Sequence, residues 1–403
     1  MTKPLSHIRV LDLTRILAGP WCTQLLADLG AEVIKVERPG EGDDTRGWGP
    51  PFIRNADGSD GDAAYFLSAN RGKKSVAIDI ARPEGQNLVR QIALRSDVFI
   101  ENFKLGGLKK YGLDYASLSE ANPKLIYCSI TGFGQDGPYA QRAGYDFMIQ
   151  GMSGLMSVTG EQDGMPLKVG VAVSDLFTGL YAGNAIQAAL IDRERTGRGT
   201  HIDMSLLDSQ IAALANQNSN YLVSGKAPGR LGNAHPNIVP YQAFETADGH
   251  IILAIGNNRQ FASFCKVAGL DSLPEDPRFA GNKERVAHRE ECVALVAEAM
   301  KQKTTAEWVK VLEEVAVPCG PINRIDDVFA DPQVQHRGLR LDTARDDGTA
   351  TPTVANPICM DGQQMVADRA VPALGDCTEA VLQDVLGMDD NQIETLSDSG
   401  VIG

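Results

Sequence analysis

Apolar positions along the chain alternate between short runs with a spacing of two and longer stretches with helical spacing. Residues 8–13 (IRVLDL) predict a strand, 20–29 a helix opened by Pro20 and closed by Gly30, and Glu32–Glu37 (EVIKVE) a second strand. Such a strand–helix–strand unit implies a parallel pair with a right-handed crossover. Strand-like runs at 75–80, 97–101 and 125–130, with a helix over 84–95, continue the alternation of an open α/β sheet.

A glycine-rich turn at 132–138 leads through Arg142-Ala143-Gly144-Tyr145-Asp146 into a helical pattern that runs to about residue 155. In MPLKVGVAVSDLFTGLYA (165–182) an extended apolar run meets one carboxylate, Asp175, and becomes an amphipathic helix over 176–195 that ends at Gly197. A strand at 200–204 and a helix over 206–223 follow, and 226–240 reads as loop. From 241 to about 325 the pattern changes to a smaller α+β unit. It has a hairpin of 243–246 and 250–255 around Asp248-Gly249 and helices at 260–267, Arg289–Met300 and Thr305–Glu314. Gly256-Asn257-Asn258 reads as a tight turn after that hairpin, or a lid over a reactive intermediate. Beyond 339 lie a short β-like stretch and a helix near Thr378–Leu386.

Composition narrows the ligand class. A net charge of −14 over 403 residues argues against nucleic acid, which needs a basic face. Seven scattered cysteines without CxxC spacing predict no disulfide framework and no metal site. No run approaches ~18 apolar residues, and residues 1–9 lack a leader's apolar core, so a cytoplasmic protein without membrane contact is expected. The loop of residues 14–20 (TRILAGP) has no GxGxxG, which removes the usual cradle for nicotinamide or flavin dinucleotides.

Ligands in open α/β sheets collect beyond the carboxyl ends of the strands. Arg38, Asn102-Phe103-Lys104 and Thr131-Gly132 follow such ends, and Asn70-Arg71-Gly72-Lys73-Lys74 precedes another strand. With Lys109 and Lys110 they form a basic set inside an acidic protein. Cations and glycine-rich backbone suit a ligand with several phosphates, and Phe103 suits a planar base. Asp175 beside a helix start reads first as a helix cap, with a nucleophilic carboxylate as the chemical alternative. His235, an apolar-flanked loop histidine, reads as a structural hydrogen-bonding group.

Taken together, IRVLDLTRILAGPWCTQLLADLGAEVIKVERPGEGDDTRGWGPPF, NRGKKS, VFIENF, SITGFGQDGP, VAVSDLFTGLYA and GNAHPNIVPYQAF resemble the class III coenzyme A transferases over essentially the whole length. TRILAGP, GDDTRGWGPPF, AGYD and GNAHPNIVPYQAF are most similar to the succinyl-CoA:glutarate (dicarboxylate) branch.

The resemblance implies an intertwined homodimer. A large Rossmann-like domain with a parallel sheet (1–225, completed by 339–403) would carry a small α+β domain (226–338). It implies Asp175 as the nucleophile that forms aspartyl-acyl anhydride and aspartyl-CoA thioester intermediates. Coenzyme A and acyl-CoA would be substrates, with no permanently bound cofactor. A helix N-terminus would lower the Asp175 pKa and keep it ionised.

CoA contacts are implied at Arg38, Asn70, Lys73, Lys74, Asn102, Phe103 and Lys110. Arg15, Leu17 and Asp146 would neighbour the acid, with Arg15 pairing the distal carboxylate of a dicarboxylate. Oxyanion donors are implied in the turns at Ala18-Gly19 and Gly256-Asn257. Two alternatives share the fold. An α-methylacyl-CoA racemase needs a His where this chain has Tyr145, and a CoA-binding protein without chemistry would not need Asp175.

Overall fold

The computed structural model describes residues 2–403. Two compact units emerge, one formed by 1–155, 168–224 and 332–403, the other by 156–167 and 225–331.

The larger unit is built on six parallel strands, β1 (Arg9–Leu13), β2 (Glu32–Glu37), β3 (Lys73–Ala77), β4 (Val98–Glu101), β5 (Ile126–Thr131) and β6 (His201–Ser205). Their spatial order is β3-β2-β1-β4-β5-β6. This is the order of doubly wound dinucleotide-binding sheets, and it reverses direction between β1 and β4. The helices that matter for the site are α1 (Ala18–Asp28), α2 (Pro83–Ala93), α3 (Tyr115–Ala121), α4 (Asp146–Met152), α5 (Val173–Thr196), α6 (Leu206–Ala213) and α7 (Asn216–Ser224).

Both sheet faces are covered, which explains why the strands read as near-continuous apolar runs. On one face Leu11, Ile34, Val76 and Phe99 pack against Leu88 and Ile92 of α2 and against Val381 and Leu382. Those last two residues sit on the helix Thr378–Leu386, so the C-terminal segment completes this core. On the other face Val10, Val33, Val98 and Ile126 pack against Cys22 and Leu26 of α1 and Ala182 and Ile186 of α5.

The smaller unit pairs β7 (Tyr241–Glu245) with β8 (His250–Ala254), and β8 with β9 (Cys319–Pro321), all antiparallel. Its core gathers Phe261, Phe264, Trp308 and Leu312. Arg230 donates to the carbonyls of Glu161, Gln162 and Gly164 and so ties 156–167 into this unit.

Three predicted elements differ. The helix over 206–223 is broken into α6 and α7 at Ala215, which takes a left-handed φ of 44°. The helix carrying Asp175 begins at Val173, ahead of the predicted 176, and the helix after Tyr145 stops at Met152. A further terminal helix, Asp390–Asp398, has a capping box on Asp389 that the sequence reading passed over. No helix among the described residues is long and apolar enough to cross a membrane.

Candidate active site

A cavity of about 430 Å³ opens in the larger unit where the strand order reverses. Its wall begins with the loop after β1, Arg15 to Ala18, and continues with the loop after β4, where Asn102, Phe103 and Lys104 lie. Thr131 at the end of β5, Gly132 after it, Lys110, the segment 140–145 and Asp175 also line it. Ligand position beyond the carboxyl ends at a switch point thus follows from strand order alone.

Two close backbone approaches bring these parts together. A Cβ on Gly179 would lie 2.6 Å from the Ala18 carbonyl oxygen, so only glycine lets the first turns of α5 rest on the start of α1. A Cβ on Gly132 would lie 2.6 Å from Cα of Gly144, which presses the 140–145 segment onto the end of β5.

The loop of Arg15 to Ala18 is held from both sides. Asn102 accepts from the Arg15 N–H (3.0 Å) and donates to its carbonyl (2.7 Å). Lys35 donates to the Thr14 carbonyl (2.8 Å) and to Asp43 (2.9 Å), whose other oxygen accepts from the Ile16 N–H (3.3 Å). Ile16 is thereby kept at φ 72°, a costly conformation for a β-branched residue. Glu101 accepts from the Phe103 N–H (2.7 Å), and burial pushes its carboxyl up to about 7.

Asp175 occupies the third position of α5. Its place at the helix start predicts a cap with a lowered pKa, and the structure differs on both points. No side chain of the helix's own start caps it; instead Asp146 accepts from the Ser174 N–H at 2.9 Å. Burial, with the charge of Asp146 as a second cause, pushes the Asp175 carboxyl up to about 7. The desolvation of a carboxylate outweighs the favourable end of the helix. The phenol of Tyr65, on the short helix Ala64–Leu67, feels the charge of Asp175 and is raised in turn, first by burial.

The residues expected around CoA separate into two groups. Asn102, Phe103 and Lys110 line the cavity together with Arg15, Leu17 and Ala18. Lys73 does not reach it: its fully buried ammonium donates to Asn70 (2.8 Å), the Pro20 carbonyl (3.0 Å) and Asp12 (3.3 Å), and burial pulls it down to about 8. Asn70 is buried with it and donates to the Phe66 carbonyl. Lys74 pairs with Glu32 at 2.6 Å, and exposed Arg38 pairs with Glu41 at 2.9 Å, outside this cavity. Arg15 already holds Asp44 at 2.9 Å across an exposed, weakly stabilising contact.

Lys104 and Arg142 line the cavity without a carboxylate within ion-pair distance among the described residues. Arg142 lies over Tyr139 and Phe133, 4.6 and 5.3 Å from the ring centres. In the sequence Arg142 follows the glycine-rich turn of 132–138 and stands outside the basic set expected for the ligand; its signal is a cation beside Gly144. Gly256 and Asn257 belong to the smaller unit, where Asn257 caps the helix Asn258–Ala268 through the Gln260 N–H and Gly256 donates to the Gln260 side chain. His235 accepts from the Asn237 N–H at 3.1 Å.

A parallel sheet with a cation-lined cavity at its switch point and a perturbed carboxylate in the wall defines an α/β enzyme for an anionic ligand. The model described as CoA-transferase family III matches residues 5–378, and this chain belongs to that family and transfers coenzyme A. It is 56% identical over 382 residues to a succinate–glutarate CoA-transferase of Agrobacterium fabrum, covering 95% of this chain and 96% of that protein. It is 46% identical over 407 residues to succinyl-CoA:glutarate CoA-transferase of Homo sapiens, with 99% and 90% covered. A crystal structure of a CAIB/BAIF family protein from Brucella suis aligns with a TM-score of 0.84 at 52% identity, over 96% of this chain and 100% of that one.

Proposed function

We propose that this enzyme moves coenzyme A from succinyl-CoA to glutarate or a dicarboxylate of similar length, with Asp175 as the nucleophile. The observation that carries the reading is the position of Asp175 in one cavity with Arg15, Lys104, Lys110 and Arg142. The relatives that transfer CoA between succinate and glutarate support the acid pair.

An Asp175 carboxylate oxygen attacks the thioester carbonyl; the C–S bond breaks, giving an aspartyl-succinyl anhydride and CoA thiolate. The thiolate attacks the aspartyl carbonyl, succinate leaves with the C–O electron pair, and an aspartyl-CoA thioester remains. Glutarate then attacks that carbonyl and expels the thiolate, which takes the glutaryl group and restores the carboxylate. No proton is transferred in the exchange, so no general base is needed once Asp175 is ionised. The oxyanion of each step is met by first-turn N–H groups of α1 at Ala18, whose helix start has no capping side chain. Lys104, Lys110 and Arg142 hold phosphates, Phe103 flanks the adenosine or pantetheine, and Arg15 exchanges Asp44 for the distal carboxylate.

The enzyme acts as an intertwined homodimer in the cytoplasm, with no cofactor held permanently. Support for a dimer comes from α5, whose Phe177, Leu180, Tyr181 and Ile191 are 39, 42, 44 and 74% exposed opposite its buried face. Large apolar side chains on the face opposite the core contacts call for a covering surface. The test is mass spectrometry after incubation with succinyl-CoA and trapping by borohydride or hydroxylamine. Modification at Asp175, absent in Asp175→Ala, is the expected result; an active Asp175→Ala enzyme refutes the mechanism, and equal turnover of a monocarboxylate refutes the acid pair.

A further inference from the structure

Asp175 lies in the first turn of its helix, where a carboxylate ordinarily folds back to cap exposed N–H groups. That duty is filled from elsewhere in the chain. Asp146, the first residue of α4, accepts from the Ser174 N–H with one oxygen (2.9 Å) and from Gln150 with the other (2.8 Å). Gln150 is fully buried and fastens the segment leading into α5, accepting from the Val169 N–H (2.9 Å) and donating to the Val171 carbonyl (3.3 Å). Ser174 is fixed in turn by donating to buried Gln210 on α6 (2.9 Å).

We propose that Asp146 is a positioning residue of the reaction: it caps the nucleophile's helix so that Asp175 is free to face the cavity, and it sets a fixed negative charge beside it. The inference rests on Asp175 being the nucleophile. A carboxylate beside another is harder to ionise, and for the same reason it is the better nucleophile once ionised.

Other ionisable groups surround α5. On the elements packed against it these are Cys22 and Asp28 of α1, Asp208 of α6, Tyr127 and Cys128 of β5, and His201 and Asp203 of β6. Asp28 is engaged by Arg71 at 2.7 Å. Tyr65 stands near, and the cavity contributes Tyr145 and its four cations. Among all of these, Asp146 is the group hydrogen-bonded to the start of α5, at the residue before Asp175, and its charge adds to burial in raising the Asp175 carboxyl.

Asp146→Asn keeps an oxygen for the Ser174 N–H and removes the charge, at the loss of the bond accepted from Gln150, whereas Asp146→Ala removes both oxygens and the charge. The measurement is kcat/KM for succinyl-CoA from pH 5 to 9, read as the ratio of pH 6 to the alkaline plateau in one preparation, which does not depend on the fraction folded. For Asp146→Asn the acid limb moves down by about one pH unit, so the ratio rises from about a tenth to about a half. For Asp146→Ala the plateau falls at least about tenfold below that of Asp146→Asn, because the helix start loses its cap. An acid limb of Asp146→Asn at the wild-type position, or equal plateaus in the two variants, overturns the proposal. Asp175→Asn separates the two ideas. If it is active, the nucleophile reading fails; if it is inactive while the Asp146→Asn limb stays unmoved, this inference alone fails.

Discussion

Gly179→Ala tests whether the seat of α5 on α1 sets the catalytic geometry. A single methyl at this position would come 2.6 Å from the Ala18 carbonyl oxygen and 3.2 Å from Trp21 Cβ. Ordinary contact between such atoms is about 3.5 Å, so the two helices must part by most of an ångström. Overpacking of this kind costs about 1–3 kcal/mol, and replacing glycine within a helix returns about 1 kcal/mol, so the net loss of stability is about 0–2 kcal/mol. Activity should suffer far more. Asp175 lies four residues before Gly179 on the same helix, and Ala18 carries the proposed oxyanion donor, so the nucleophile and the donor move apart. A displacement near 1 Å costs about a hundredfold in rate. Steady-state kinetics with succinyl-CoA and glutarate, beside urea unfolding, should show kcat down about 10- to 100-fold with KM for the donor little changed. Gly183→Ala is the control one turn on, where the methyl would meet the tip of Leu25 at 3.1 Å and Cys22 Sγ at an ordinary 3.9 Å, and it should lose less than about threefold. A Gly179→Ala enzyme with wild-type kcat refutes the geometry.

The remaining predictions concern charge. Because Asp175 must be ionised to attack and its carboxyl is raised to about 7, kcat/KM should climb about tenfold between pH 6 and pH 8 and level off above; a flat profile over that window rules this out. Lys73→Met should cost about 3–5 kcal/mol in urea unfolding because it strands Asp12 in the core, whereas a phosphate-contact role for Lys73 would instead raise the KM for acyl-CoA at unchanged stability. Arg142→Ala should leave stability within about 0.5 kcal/mol and raise the acyl-CoA KM about tenfold, with the difference shrinking at high salt. An unchanged KM removes Arg142 from the CoA site.

How much of this was legible depended on whether the cause lay nearby in the chain. The strands could be read because both faces of the sheet are buried: Val10 and Leu11 are adjacent in sequence and serve opposite cores. The break between α6 and α7 could not, since LANQN holds no glycine or proline to mark the positive φ that Ala215 adopts. Strand order was equally silent, and it is the order that brings TRILAGP and NFK to one cavity.

The charged residues misled most, for one physical reason. A lysine at a strand edge reads as solvated, yet Lys35 and Lys73 are fully buried, facing Asp43 and Asp12, and Asp12 stands level with Lys35 in the register of β1 and β2. Lys35, Asp43 and Lys73 hold the loop of Arg15 to Ala18 through the Thr14 and Pro20 carbonyls and the Ile16 N–H, so Lys73 of NRGKKS acts as a support of the site. Asp175 is the same lesson reversed. Its local sequence says helix start, hence cap and lowered pKa. The helix is capped instead by Asp146, 28 residues before Ser174, and burial beside that charge leaves the Asp175 carboxylate uncommitted, reluctant to ionise, and in the wall of the cavity. Local pattern located the residue; the chemistry that distinguishes a nucleophile from a cap is decided by what the fold brings beside it.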